Sequence, residues 1–147
     1  MIRRATEDDA PHLLAIAAYA YPEFDLAASI QWAEGAFQNP DIGIWVGERT
    51  LGVSAVSAPF YKPSQRRGVM LFLAAEPGAG YEPVKMLRTM VEWCLFEKGA
   101  ESFHAGEDTG INLEPLMRRI GATLDRPSYT VRRDAQGVPQ LRRRNKS

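Results

Sequence analysis

The chain carries one cysteine, Cys94, in 147 residues. No disulfide can close within it, and a reducing compartment, the cytoplasm, is the expected setting. Its two histidines, His12 and His104, are too few beside that cysteine for a dedicated zinc site, so no metal is expected. Apolar runs are short, and none approaches the roughly 20 residues of a membrane span. The opening MIRRATEDDAPHLL has acids where a secretory leader would be apolar. There is no internal repeat and no low-complexity tract. What remains is ordinary: 45% hydrophobic and 24% charged residues, as in a globular domain long enough to bury one core.

A net charge of zero conceals an asymmetry. Residues 1–125 hold 11 Lys/Arg against 17 Asp/Glu, a net −6, whereas 126–147 hold 7 against 1, a net +6. The basic stretch overlaps the last strand expected below, so the expected division is a domain at 1–133 and a basic tail at 134–147. Such a tail either makes weak nucleic-acid contacts or lies on the acidic body, its own or that of a second copy in a homodimer.

Local patterns give the elements. Residues 2–5 read as a short strand, and Thr6 with Asp9 forms a capping-box-like start to a helix carrying Leu13, Ile16, Ala17 and Ala20. Pro22 ends it. Asp25 caps a second helix with Leu26, Ile30, Ala33 and Phe37 on one face. Residues 42–48 and 51–58 read as a hairpin joined at Arg49-Thr50, with Phe60 and Tyr61 just after it. The apolar run 68–75 reads as a strand covered on both faces. Gly78-Ala79-Gly80 leads into a long helix with Pro83 in its first turn and a buried stripe at Val84, Leu87, Met90, Val91, Cys94 and Leu95. A strand at 102–105, a helix at 113–120 and a strand at 128–133 complete the order β-α-α-β-β-β-α-β-α-β. That order gives an α/β, three-layer domain with a mixed, mostly antiparallel sheet and helices on both faces.

With these local sequences, the order resembles the GCN5-related N-acetyltransferase superfamily over residues 1 to about 133. IRRATEDDAPHLLAIA resembles its first strand and helix, and IWVGERTLGVSAVS its second and third strands. MLRTMVEWCLFEKGAESF resembles its long helix and fifth strand, and NLEPLMRRIGATLDRPSYTVRR its last helix and closing hairpin. The resemblance implies an enzyme that moves an acyl group, typically acetyl, from acetyl-CoA to a primary amine on a small molecule, a nucleic acid or a protein.

It also implies a site. The fourth and fifth strands part to receive the pantetheine arm, placing Leu73 and Ala75 beside it. The loop Gly78, Ala79, Gly80 and Tyr81, with Lys85 one turn into the helix, faces the pyrophosphate through backbone N–H groups and the helix dipole. Asn112 stands near the family's asparagine. The acceptor enters near the connection between the first two helices, lined by Tyr19, Tyr21 and Phe24. His104 or Glu107 is the candidate base or water holder, since histidines ordinarily titrate in a useful range, and Tyr129 the candidate acid.

Departures from the family accompany these assignments. The loop is short and lacks the usual Arg or Gln, and Glu82 brings an anion toward the pyrophosphate position. Met117 stands where a tyrosine is common, and the fourth strand lacks a glutamate. Each site residue also has a plain packing role available: Tyr129 and His104 as strand residues, Asn112 as a helix cap, the aromatics as ordinary packing. Trp32, Trp45 and Trp93 read as core or partial core. The competing function is a binding or structural module that keeps the fold without catalysis.

Overall fold

In the computed structural model the described residues are 1–20, 25–50, 52–105, 114–119 and 121. The chain runs β1 (Ile2–Arg4), α1 (Ala10–Ala20), α2 (Leu26–Gln38), β2 (Trp45–Arg49), β3 (Gly52–Lys62), β4 (Arg67–Ala75), α3 (Glu82–Glu92), β5 (Ser102–His104) and α4 (Glu114–Arg119). This is the order expected as far as α4. The strand expected at 128–133 and the tail at 134–147 lie outside the described residues.

The five strands lie side by side in chain order. β1 to β4 are antiparallel neighbours, and β5 joins β4 in parallel. A parallel neighbour cannot be reached by a tight turn, so α3 supplies the crossover.

Period-2 alternation sends side chains to two separate cores. Trp45, Ala55 and Leu73 face Met86, Leu87, Met90, Trp93 and Cys94 of the α3 side. Their chain neighbours Val46, Val56 and Ala74 face Leu13 and Ile16 of α1 and Ala36 of α2. Each central strand is therefore apolar on both faces, which is why 68–75 shows no alternation in sequence.

Local chemistry sets the element ends. Asp25 accepts the Ala28 N–H at 3.0 Å and caps α2. Asp9 accepts the Thr6 N–H at 2.8 Å and the Arg3 guanidinium at 2.8 and 2.9 Å, starting a 3₁₀ turn that runs into α1. The paired guanidinium holds the Asp9 carboxyl down to about 2. α3 closes in a π-helical turn over Trp93–Glu97. That turn lays Cys94 against the Gly68 backbone, where a Cβ would stand 2.6 Å from its Sγ. Burial pushes the Cys94 thiol up to about 11.

Three expectations are corrected. Phe60 and Tyr61 belong to β3, and Tyr61 is buried among the α3-side residues. The stripe on α3 centres on Met86, Leu87, Met90, Trp93 and Cys94, leaving Val84 only half-buried. Trp32 is 40% exposed and belongs to the surface.

Candidate functional site

The site is built where β4 and β5 part. Their pairing runs Arg67↔Ser102, Gly68↔Phe103, Val69↔His104 and stops there. Beyond it, β4 continues to Ala75 in pairing with β3. Among the described residues, 70–75 has no strand on its other side. Alternate backbone N–H and C=O groups of that stretch face this side, where no described strand takes them.

A bulge sits within this stretch. Ala58 pairs with Phe72 and Pro59 with Met70, so Leu71 is the extra residue. Pro59 brings no N–H to the ladder, which favours the irregularity at that point. Leu71 is left 39% exposed on the open edge.

β4 then runs through Glu76 and Pro77 into the glycine turn. Gly78 and Gly80 have φ of 80° and 64°, a conformation that glycine adopts without a Cβ clash. The turn spends two amides on itself: Ala79 N–H bonds Glu76 O at 3.2 Å, and Glu82 N–H bonds Ala79 O at 3.3 Å. Arg49, at the end of β2, donates to Gly78 O at 2.5 Å and braces the turn from below.

α3 begins at the turn, so its positive dipole end points there. Glu82 does not oppose it. The side chain is buried and turned inward, with Oε1 3.5 Å from the Met1 amino group and Oε2 beside Gly47. The anion that sequence places at the turn is thus directed away from it.

Along α3, Tyr81, Val84, Lys85, Arg88, Thr89 and Glu92 line a cleft of about 520 Å³. Tyr81 is exposed, and the Arg119 guanidinium from α4 stacks over its ring at 5.5 Å. Lys85 and Arg88 are exposed, one and two turns into the helix.

Of the expected cofactor residues, Leu73 is fully buried toward α3 and Ala79 is buried, so both offer only backbone. Ala75 is half-buried, while Gly78, Gly80, Tyr81 and Lys85 are exposed around the turn. His104 is the last paired residue of β5, at the point of the fork, with Nε2 3.3 Å from Ser102 Oγ. Its neighbours Phe103 and Ala105 pack toward α3, so alternation puts His104 on the α1–α2 face. Tyr19 is exposed at the end of α1. Tyr21, Phe24, Glu107, Asn112 and Tyr129 lie outside the described residues.

Sequence reasoning missed Arg49, Leu71 and Trp32 with Phe72. Trp32 meets Phe72 edge-on on the α1–α2 face, with centroids 5.6 Å apart and planes at 70°. The first is 29 residues from its partner, the second is a bulge inside an unbroken apolar run, and the third looks like one more core aromatic. Met117 of α4 packs against the α3-side core, which accounts for an apolar residue at that position.

No helix among the described residues is long and apolar enough to cross a membrane. No protein-family model and no curated protein sequence matches the chain. Solved structures do. The aminoglycoside acetyltransferase AAC(6')-Iy, in complex with a bisubstrate analogue of CoA and acetylneamine, superposes with a TM-score of 0.76 at 9% identity, covering 90% of this chain and 97% of that one. A predicted acetyltransferase of Clostridium acetobutylicum with acetyl-CoA gives 0.71 at 15%, covering 88% and 93%. A ribosomal-protein-alanine N-acetyltransferase of Brucella melitensis gives 0.66 at 22%, covering 82% and 83%. At these identities the likeness is one of architecture: the chain has the fold of the GCN5-related N-acetyltransferases.

Proposed function

We propose that the protein is an N-acyltransferase that consumes acetyl-CoA, or a short acyl-CoA, and acylates a primary amine. The observation that carries this reading is the unpaired edge of β4 running directly into a glycine turn at the head of α3. An extended amide-bearing chain fits an open strand edge as an added strand would, and an anion fits a glycine turn at a helix start. Acyl-CoA has both features.

In this reading, backbone groups of Leu73 and Ala75 take the pantetheine arm, and Gly78, Ala79, Gly80 and Tyr81 form the rim for the pyrophosphate. Arg49, Lys85 and Arg88 supply the positive charge that the loop itself lacks. Asn112 remains a candidate for the donor. His104 at the fork takes the ammonium proton, directly or through water, with Glu107 as its partner or substitute, and Tyr129 returns a proton to the leaving thiolate. β4 amides on the open edge stabilise the oxyanion as charge develops. The acceptor enters from the α1–α2 side near Tyr19, Tyr21 and Phe24, and a cytoplasmic setting suits the donor.

The test is release of CoA thiol when amines are added to the full chain with acetyl-CoA. His104→Ala is expected to lower the rate by about 10²–10⁴-fold, the usual cost of losing a base. No binding of acetyl-CoA and no turnover on any amine would favour the alternative, a binding or structural module that keeps the fold but has lost the cofactor.

A further inference from the structure

We infer that the β1 edge of the sheet carries a second ligand site, which takes a small monocarboxylate with an apolar body and holds it through Arg4. The inference stands apart from the acyl-CoA reading. Arg4 is the last residue of β1, an edge strand in the order β1-β2-β3-β4-β5. Nearby, the chain leaves α2 through a turn in which Asn39 Oδ1 accepts the Asp41 N–H at 2.9 Å and Asn39 O accepts the Ile42 N–H at 3.1 Å. Between this turn and the end of β1 lies a cavity of about 210 Å³. Its lining includes the buried Ala5, Ala36 and Ile44 and the half-buried Phe37 and Ile42. Among the described residues that line it, only Arg4 is charged.

The setting of Arg4 points to an anion. Its guanidinium lies over the rings of Trp45 and Trp93, 4.6 and 5.3 Å from their centroids. Stacking uses the face of that plane, whereas its five N–H donors lie along the edges. One donor reaches Ile42 O at a long 3.5 Å, which sets the guanidinium beside the cavity lining. No described carboxylate pairs with it, and Asp41 in the adjoining turn is paired with Lys98 at 3.2 Å. Stacking also fixes the side chain before a ligand arrives, so binding loses little further rotamer freedom.

A carboxylate accepts two parallel N–H bonds from one guanidinium edge. An apolar body behind it covers the Ala36, Ile42 and Ile44 surfaces. Inorganic phosphate has no such body. Gln38 and Asn39, at the carbonyl end of α2, also line the cavity, and that negative pole disfavours a dianion more than a single charge. At about 30 Å³ per water the cavity has room for about seven waters, or a ligand of roughly six to eight non-hydrogen atoms, butanoate to hexanoate in size.

The site is separate from the open side of β4. Arg4 pairs with Trp45, Trp45 with Ser57, and Ser57 with Leu73. Three strand spacings of about 4.8 Å put Arg4 about 14 Å from Leu73 across the sheet.

The experiment titrates the full chain with hexanoate, hexan-1-ol and inorganic phosphate. Binding is followed by calorimetry and by tryptophan fluorescence, because Trp45 and Trp93 carry the Arg4 guanidinium. Hexanoate is expected to bind with a Kd on the order of 1 mM, the scale for so few atoms. It should bind at least about 10-fold more tightly than hexan-1-ol or phosphate, the scale of one charge-assisted contact. Arg4→Gln is expected to weaken hexanoate about 10-fold or more, and Arg4→Lys, which keeps the charge without the bidentate edge, about 3-fold. The comparison with hexan-1-ol uses the parent chain, so it decides the matter even if Arg4→Gln is unstable. Saturating acetyl-CoA should leave hexanoate affinity unchanged, whether or not acetyl-CoA itself binds. No hexanoate binding up to about 10 mM, ten times the expected Kd, would overturn the inference. So would equal binding of hexan-1-ol or phosphate, unchanged affinity in Arg4→Gln, or displacement by acetyl-CoA.

Discussion

Gly68→Ala tests the packing that fixes the fork. Gly68 pairs with Phe103 in the short β4–β5 ladder, and Cys94 of the π-helical turn rests on it. An added Cβ would lie 2.6 Å from Cys94 Sγ, 2.7 Å from Cys94 Cβ and 3.0 Å from the Phe103 ring. Comfortable carbon contacts are about 3.5–4.0 Å, so the shortfall is about 1 Å. Cys94 Cβ is fixed to the helix backbone and cannot rotate away. The helix must therefore lift from the sheet, or β5 must shift along β4. Overpacking of this kind costs about 1–3 kcal/mol, and we expect the upper half of that range. For a chain of this size that lowers Tm by roughly 5–10 °C. Urea unfolding followed by tryptophan fluorescence is the assay, with Trp93 in the affected turn as reporter. Cys94→Ala removes one of the two short contacts with that side chain, so the double variant should recover about 1 kcal/mol relative to additivity. A Gly68→Ala protein within about 0.5 kcal/mol of the parent, below the usual cost of overpacking, would refute the reasoning. Strict additivity in the double variant would do the same.

Other consequences are as direct. Asp9, held down to about 2 against an ordinary 3.8, stabilises the fold above the ordinary value and loses that contribution as pH falls through about 2. Asp9→Asn should therefore cost about 1–2 kcal/mol at pH 7, allowing for solvent at the Arg3 end, with the gap closing below pH 4 in acid titrations of stability. Cys94, its thiol pushed up to about 11 by burial, should react with a thiol reagent at pH 8 only as the protein unfolds; rapid labelling of the native protein would contradict its place under the sheet. Gly80→Asp puts a carboxylate and a Cβ at a φ of 64° on the exposed turn. We expect CoA affinity to fall by 10-fold or more, on the scale of one lost charge-assisted hydrogen bond, while circular dichroism is unchanged; unchanged affinity would move the pyrophosphate elsewhere.

The sequence was most readable where one period governs the chain. The alternations Trp45/Val46 and Ala55/Val56 sort cleanly into the two cores, and the Asp25 cap and the glycine turn stand where their residue types require them. It misled where a local rule met a tertiary one. Residues 51–58 read as the whole strand, yet β3 runs on to Lys62, with the bulge at Leu71 of β4 absorbing the irregularity at Pro59. Helical spacing groups Val84 with the α3 stripe, but Met86 and Trp93 are buried while Val84 is only half-buried. The direction of Glu82 and the reach of Arg49 depend on a side-chain rotamer and on a contact across 29 residues, neither of which a pattern encodes. The fork at Val69↔His104 was legible only through resemblance, because nothing in GVMLFLAA marks where a partner strand ends.

The central claim is that the open edge of β4 and the turn at 78–81 hold an acyl-CoA. Isothermal titration of the full chain with acetyl-CoA tests it directly. The account predicts one site per chain, an affinity that weakens with added salt because charge at Arg49, Lys85 and Arg88 contributes, and loss of the heat signal in Gly80→Asp. No heat and no thermal stabilisation with acetyl-CoA, CoA or a longer acyl-CoA at millimolar concentration would contradict it.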